Sequence, residues 1–175
     1  PQLLEFQKRV RIITLDMRGH GRSGFPSQSH FVIDEFVQDL KSLVDLLQLP
    51  SFYLVGHSFG GAVAAAYSVM YPQDVTGLAL IGTAGKIHLR PSLQILLKLP
   101  AALLDPIQRG FHNSVSAKPE VLKKLIPYVL NWRGWDLYPQ IRCPSVGISG
   151  EWDLLTRPSA MQEMMNQIPD GYLER

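Results

Sequence analysis

The sequence predicts an α/β protein, a mostly parallel sheet flanked by helices and carrying a helical insertion. Short unbroken apolar runs recur along the chain, as in strands buried on both faces, and segments of helical periodicity separate them. Between residues 86 and 139 that alternation gives way to a Leu-rich stretch broken by prolines. With 46% hydrophobic and 18% charged residues over 175 positions, the chain has the apolar content to fill a core, which argues against disorder or a coiled coil.

The first strand is expected at 10–15, where VRIITL is β-branched and unbroken. Asp34 reads as the N-cap of a helix whose Phe36, Val37, Leu40, Leu43, Val44 and Leu47 share one face, and Pro50 ends it. A second strand follows at 52–55. The next helix, 59–71, is rich in small residues (Gly60, Gly61, Ala62, Ala64, Ala65, Ala66) that let its backbone lie close to a sheet, and Pro72 closes it. Strands at 78–81 and 145–148 and a helix from about Pro158 complete the plan, with Pro158 suited to a first helical turn. Residues 1–85 and 140–175 therefore read as two parts of one core, and 86–139 as a helical cap inserted between them.

Seventeen Lys+Arg against fifteen Asp+Glu leave a net charge of +2, too small for a nucleic-acid-binding surface. One cysteine, Cys143, excludes an intrachain disulfide framework and a multi-Cys zinc site and fits a reducing compartment, so a cytoplasmic location is expected. No apolar run reaches the ~18 residues of a membrane span. A soluble protein is expected. The stretch 93–104 could form an interfacial lid, but Lys98 and Pro100 favour a cap helix packed on its own domain. The sequence does not reveal an oligomeric state.

Chemistry is concentrated in Gly56-His57-Ser58-Phe59-Gly60-Gly61, a G-x-S-x-G between an apolar strand and a small-residue helix. A nucleophile at so sharp a turn needs clearance on both sides, which Gly56 and Gly60 supply, with His57 completing the elbow; the turn then lifts the Ser58 hydroxyl above the sheet. The helix N-terminus behind it aims the Phe59 N–H at the site as an oxyanion donor. A serine hydroxyl also needs a base and an acid to orient that base. Asp153, in Gly150-Glu151-Trp152-Asp153 at the carboxyl edge of the expected sheet, is the candidate acid, with a turn cap as its plain structural alternative and Glu151 as a solvated competitor. In the earlier turn Asp16-Met17-Arg18-Gly19-His20-Gly21-Arg22-Ser23, Asp16 and Arg18 are expected to hold the loop by local hydrogen bonds. No P-loop pattern supports a phosphate site there.

These three motifs, in this order and spacing, resemble the α/β-hydrolase fold family of the esterase, lipase and lactonase type across nearly the whole chain. The resemblance implies Ser58 as nucleophile, Asp153 as the acid of a triad, the Phe59 N–H as one oxyanion donor, and residues 86–139 as a cap over a pocket for a small-molecule acyl substrate. It implies no cofactor and no metal. A serine at 58, where epoxide hydrolases and haloalkane dehalogenases of this fold carry aspartate, argues against those activities.

The family places its histidine after the acid, whereas the five histidines here are His20, His30, His57, His88 and His112, all upstream of Asp153. The family's His-Gly oxyanion loop is also missing. His20 is expected to be structural, His57 to pack beside the serine, and His88 and His112 to belong to the cap. The sequence thus reads as a fragment, with a strand missing from between those at 10–15 and 52–55 and negligible hydrolase activity of its own. Two classes of function follow for the whole protein: a serine hydrolase of esters, lactones or related acyl compounds, or a noncatalytic relative that binds a small molecule or partner in the capped pocket.

Overall fold

The computed structural model describes residues 2–24, 28, 30–85, 119–153 and 156–174. After a short helix α1 (Gln2–Phe6), the elements run α2 (Ile33–Leu46), β1 (Phe52–His57), α3 (Phe59–Met70), β2 (Val75–Ile81), α4 (Pro119–Asn131), a 3-10 turn at Tyr138–Gln140, β3 (Ser145–Ile148), α5 (Pro158–Met165) and β4 (Gly171–Glu174). The four strands form one sheet in the order β1-β2-β3-β4, all neighbours parallel. That is the expected fold class. The carboxyl ends align, with His57 opposite Ile81, Ile81 opposite Ile148, and Ile148 opposite Glu174.

One face of the sheet carries the helices. Residues 61–68 of α3 are all buried, since small side chains let the helix sink between β1, β2 and α2. Ala62, Val63, Ala66 and Tyr67 meet the apolar face of α2 in one core, which Val121 and Leu125 of α4 extend. Ala64 and Ala65 meet Leu78 and Leu80 of β2 and the methionines of α5 in a second. On the opposite face, Val55, Ala79, Val146 and Tyr172 fall in register across the four strands, yet Val55 and Tyr172 are each 61% exposed and Tyr53 is 77% exposed.

Several expectations need correction. Residues 10–15 form no strand, and Val10, Ile13 and Leu15 are exposed: their apolar pattern has no ladder neighbour to satisfy its backbone. Asp34 lies inside the first turn of α2, whose N-cap is Val32 without a side-chain cap. Glu35 does that work instead, accepting the backbone N–H groups of Phe31 (2.8 Å) and His30 (3.2 Å). β4 was not anticipated, because four residues ending on a glutamate give little periodicity. Of the expected cap, residues 86–118, including 93–104, lie outside the described residues; 119–131 are helical, and the helix runs through Pro127 rather than breaking at it.

The chain on either side of residues 86–133 is stapled together. The Gly134 N–H donates to the Gly85 carbonyl (3.1 Å), and the Trp135 indole lies so close over Gly85 that a Cβ there would come within 3.0 Å of three ring atoms.

Candidate active site

Ser58 sits between β1 and α3 with φ 52° and ψ −121°, a left-handed conformation costly for any residue with a Cβ. Neighbouring glycines permit the bend. A Cβ on Gly56 would lie 2.5 Å from the Gly60 carbonyl and 2.7 Å from the Gly61 Cα, and one on Gly61 would lie 2.6 Å from Thr83 Cγ2. The bend is fixed by the Ser58 N–H donating to the Ile81 carbonyl (2.9 Å) and the Gly61 N–H donating to the Ser58 carbonyl (2.9 Å). Ser58 is exposed at the carboxyl edge of the sheet. Phe59 opens α3, so its N–H belongs to the first turn, where no intrahelical carbonyl is available and the helix dipole favours negative charge. Its ring packs edge-on against Phe36 at 5.0 Å, tying the elbow to α2.

Asp153 is half-buried on the loop after β3. Its own N–H donates to the Gly150 carbonyl, and its carboxylate accepts the Thr156 N–H on Oδ1 (2.9 Å) and the Thr156 hydroxyl on Oδ2 (2.5 Å). The turn-cap role weighed for Asp153 is therefore present, and it fixes the carboxylate in place. Gly82, with φ +50°, stands between the loop and β1: a Cβ there would be 3.5 Å from Asp153 Oδ2 and 3.6 Å from His57 Nε2. Since Ser58 is bonded to Ile81, the residue before Gly82, the elbow and the carboxylate flank the same turn. Glu151 and Trp152 are exposed.

The imidazole of His57 is exposed and faces the Gly82 side, rather than packing beside the serine: among the described residues no helix covers its strand neighbours on that sheet face. His20 Nδ1 lies 3.0 Å from the Arg18 carbonyl inside its turn, and His30 is exposed before α2. His88 and His112 lie outside the described residues. Asp16 holds its loop as expected, accepting the Arg22 N–H (3.0 Å) on its carboxylate and the Ser23 hydroxyl (2.5 Å) on its carbonyl. Arg18 reaches beyond its loop. It forks onto Asp39 of α2 (2.6 and 2.7 Å) and reaches Glu35 (3.0 Å), two carboxylates about one helical turn apart. The fork holds the guanidinium pKa above its ordinary value, with Asp39 as the main cause and burial opposing. This loop delivers the Met17 methyl to within 3.1 Å of where a Gly60 Cβ would stand, supporting the elbow from below.

Among the described residues, no three His, Cys, Asp or Glu side chains group closely enough to hold a metal ion. No helix among them is long and apolar enough to cross a membrane. A groove of about 570 Å³ lined by Val69, Pro72, Gln140 and Arg142 lies where the strands begin, at the edge opposite Ser58.

Residues 2–131 match the family described as the alpha/beta hydrolase fold. The chain belongs to the α/β-hydrolase fold family. This α/β hydrolase is 33% identical over 103 residues to mouse (Mus musculus) epoxide hydrolase 4, the match covering 58% of this chain and 28% of that protein. It is 34% identical over 120 residues to the monoacylglycerol lipase of Mycolicibacterium smegmatis, covering 63% of this chain and 42% of the lipase. The match thus spans less than half of either relative. The enol-lactonase of Burkholderia xenovorans LB400 superposes with a TM-score of 0.79 at 22% identity, over 98% of this chain and 74% of that one, which shows the shared fold.

Proposed function

We propose that the whole protein is a serine hydrolase of carboxylic esters, lactones or related acyl compounds, with Ser58 as nucleophile and Asp153 as the acid that orients its base. The observation carrying this reading is the strained, exposed Ser58 on one side of the Gly82 turn with an anchored carboxylate on the other. The Ser58 hydroxyl oxygen attacks the substrate carbonyl as its proton passes to the base. The Phe59 N–H stabilises the resulting oxyanion, the alcohol leaves with a proton, and water releases the acid from the acyl-enzyme. The family order puts that base after the acid in the chain, and all five histidines of this sequence precede Asp153, so the reading assigns the role to a histidine of the whole protein. Small-molecule acyl substrates are the proposed partners.

Resemblance to an epoxide hydrolase does not carry epoxide chemistry with it. A carboxylate nucleophile opens an epoxide to an ester that water can hydrolyse; a serine would form an ether, and turnover would stop there. The test uses the full-length natural protein: turnover of a p-nitrophenyl ester and labelling of Ser58 by a fluorophosphonate are expected, with Ser58→Ala lowering kcat by roughly 10⁴-fold or more. Absence of both labelling and turnover supports the noncatalytic binding protein instead.

A further inference from the structure

Thr156 binds the carboxylate of the candidate acid through both its backbone N–H and its side-chain hydroxyl. It lies three residues after Asp153, is 5% exposed, and donates twice: its N–H to Oδ1 and its hydroxyl to Oδ2. A turn of this kind needs only the backbone donor; serine, alanine or valine at 156 would all supply the N–H. The hydroxyl adds a fixed position for Oδ2, the oxygen that faces Gly82 and hence the elbow side of the loop. Two donors from one buried residue, one on each oxygen, set the plane of the group as a single N–H contact would not.

We propose that Thr156 is a positioning residue of the hydrolase, acting through Asp153: its hydroxyl clamps Oδ2 so that the remaining lone pairs face the place where the base is oriented. The inference rests on the serine hydrolase reading. A carboxylate that wanders by an ångström misplaces the base it holds, and rate falls by about 10- to 100-fold without loss of substrate binding.

The test compares Thr156→Val, which keeps shape and N–H but removes the hydroxyl, with Thr156→Ser, which keeps the hydroxyl, in the full-length natural protein. Ser58→Ala and Asp153→Asn are measured alongside. Thr156→Val is expected to lower kcat by about 10- to 100-fold with KM unchanged, and Thr156→Ser to restore it to near the parent value. Equal melting temperatures of the two variants separate positioning from folding. A second readout needs no turnover: the Asp153 carboxyl carbon, followed by NMR through acid pH, titrates at higher pH in Thr156→Val than in the parent and unchanged in Thr156→Ser, since a donor to the charged form has been lost. Among the described residues, His57 of β1 faces the same Gly82 turn as that carboxyl, and neither substitution alters it.

If Ser58→Ala or Asp153→Asn keeps full activity, the hydrolase reading fails. If those two are inactive while Thr156→Val keeps the parent kcat, or if Thr156→Val leaves the Asp153 titration unmoved, the positioning role is overturned and the reading stands.

Discussion

Two glycines near Ser58 are required for different reasons, and substitution separates them. Gly82 has positive φ, but a Cβ there would meet Asp153 and His57 only at ordinary contact distance. Gly82→Ala should therefore cost about 1–2 kcal/mol of stability from backbone strain alone, and Gly82→Asn less, because asparagine tolerates the left-handed region. Gly61 is a helix residue, and there the cost is steric: Gly61→Ala drives a methyl into Thr83 and should cost about 1–3 kcal/mol, as denaturant melts would show. At this scale the sequence is informative where chemistry is local. Ser58 and Phe59 were legible because a G-x-S-x-G between strand and helix constrains its own backbone. Asp153 was legible as a carboxylate after a strand, with its cap alternative left open. The exposure of His57 and the hydroxyl contact of Thr156 were not, because each depends on what the fold brings, or fails to bring, from elsewhere.

Among elements, the loop before α2 and the helix itself are joined by Arg18, and the join is testable. Arg18→Met leaves Asp39 and Glu35 close together without their cation. Asp39 is more than a third exposed, so solvent screening limits the loss to about 1 kcal/mol, shrinking further in high salt; a double-mutant cycle with Asp39→Asn measures it. Periodicity matches the structure where neighbours supply the buried side: α2 through its apolar stripe, α3 through its small residues, and α5 through its leading proline. The run at 10–15 has the composition of a strand and lacks the partner that makes one. The cap of α2 was misread for a related reason, since aspartate and glutamate at its start both offer carboxylates and only geometry decides which reaches back to the chain.

For the whole molecule, the uneven clothing of the sheet has consequences. Parallel sheets are ordinarily covered on both faces, and here Tyr53, Val55 and Tyr172 stand open on one. The isolated 175-residue chain should bind a hydrophobic dye and associate as concentration rises, and Val55→Lys should reduce both effects, read by dye fluorescence and light scattering. The same chain should show no p-nitrophenyl esterase activity above buffer, because the family's base follows the acid and no histidine follows Asp153 in this sequence. Alkaline stability follows from two buried tyrosines. Burial pushes Tyr138 up to about 12, and burial with Asp74 raises Tyr67 further. Between about pH 10 and 12 the unfolded chain releases a proton that folded Tyr138 keeps, so stability falls as pH rises, by about 1.4 kcal/mol per unit, and Tyr138→Phe should flatten that decline. The Tyr138 hydroxyl is buried without a hydrogen-bond partner, so the same change should leave neutral-pH stability equal or slightly higher.

The Gly85–Gly134 staple bears on how such a protein can diversify. With Gly85 and Gly134 pinned to each other, lengthening or replacing the chain between them changes a loop already closed, and closure entropy grows only with the logarithm of length. Descendants could therefore vary that stretch widely while the sheet beneath keeps its shape.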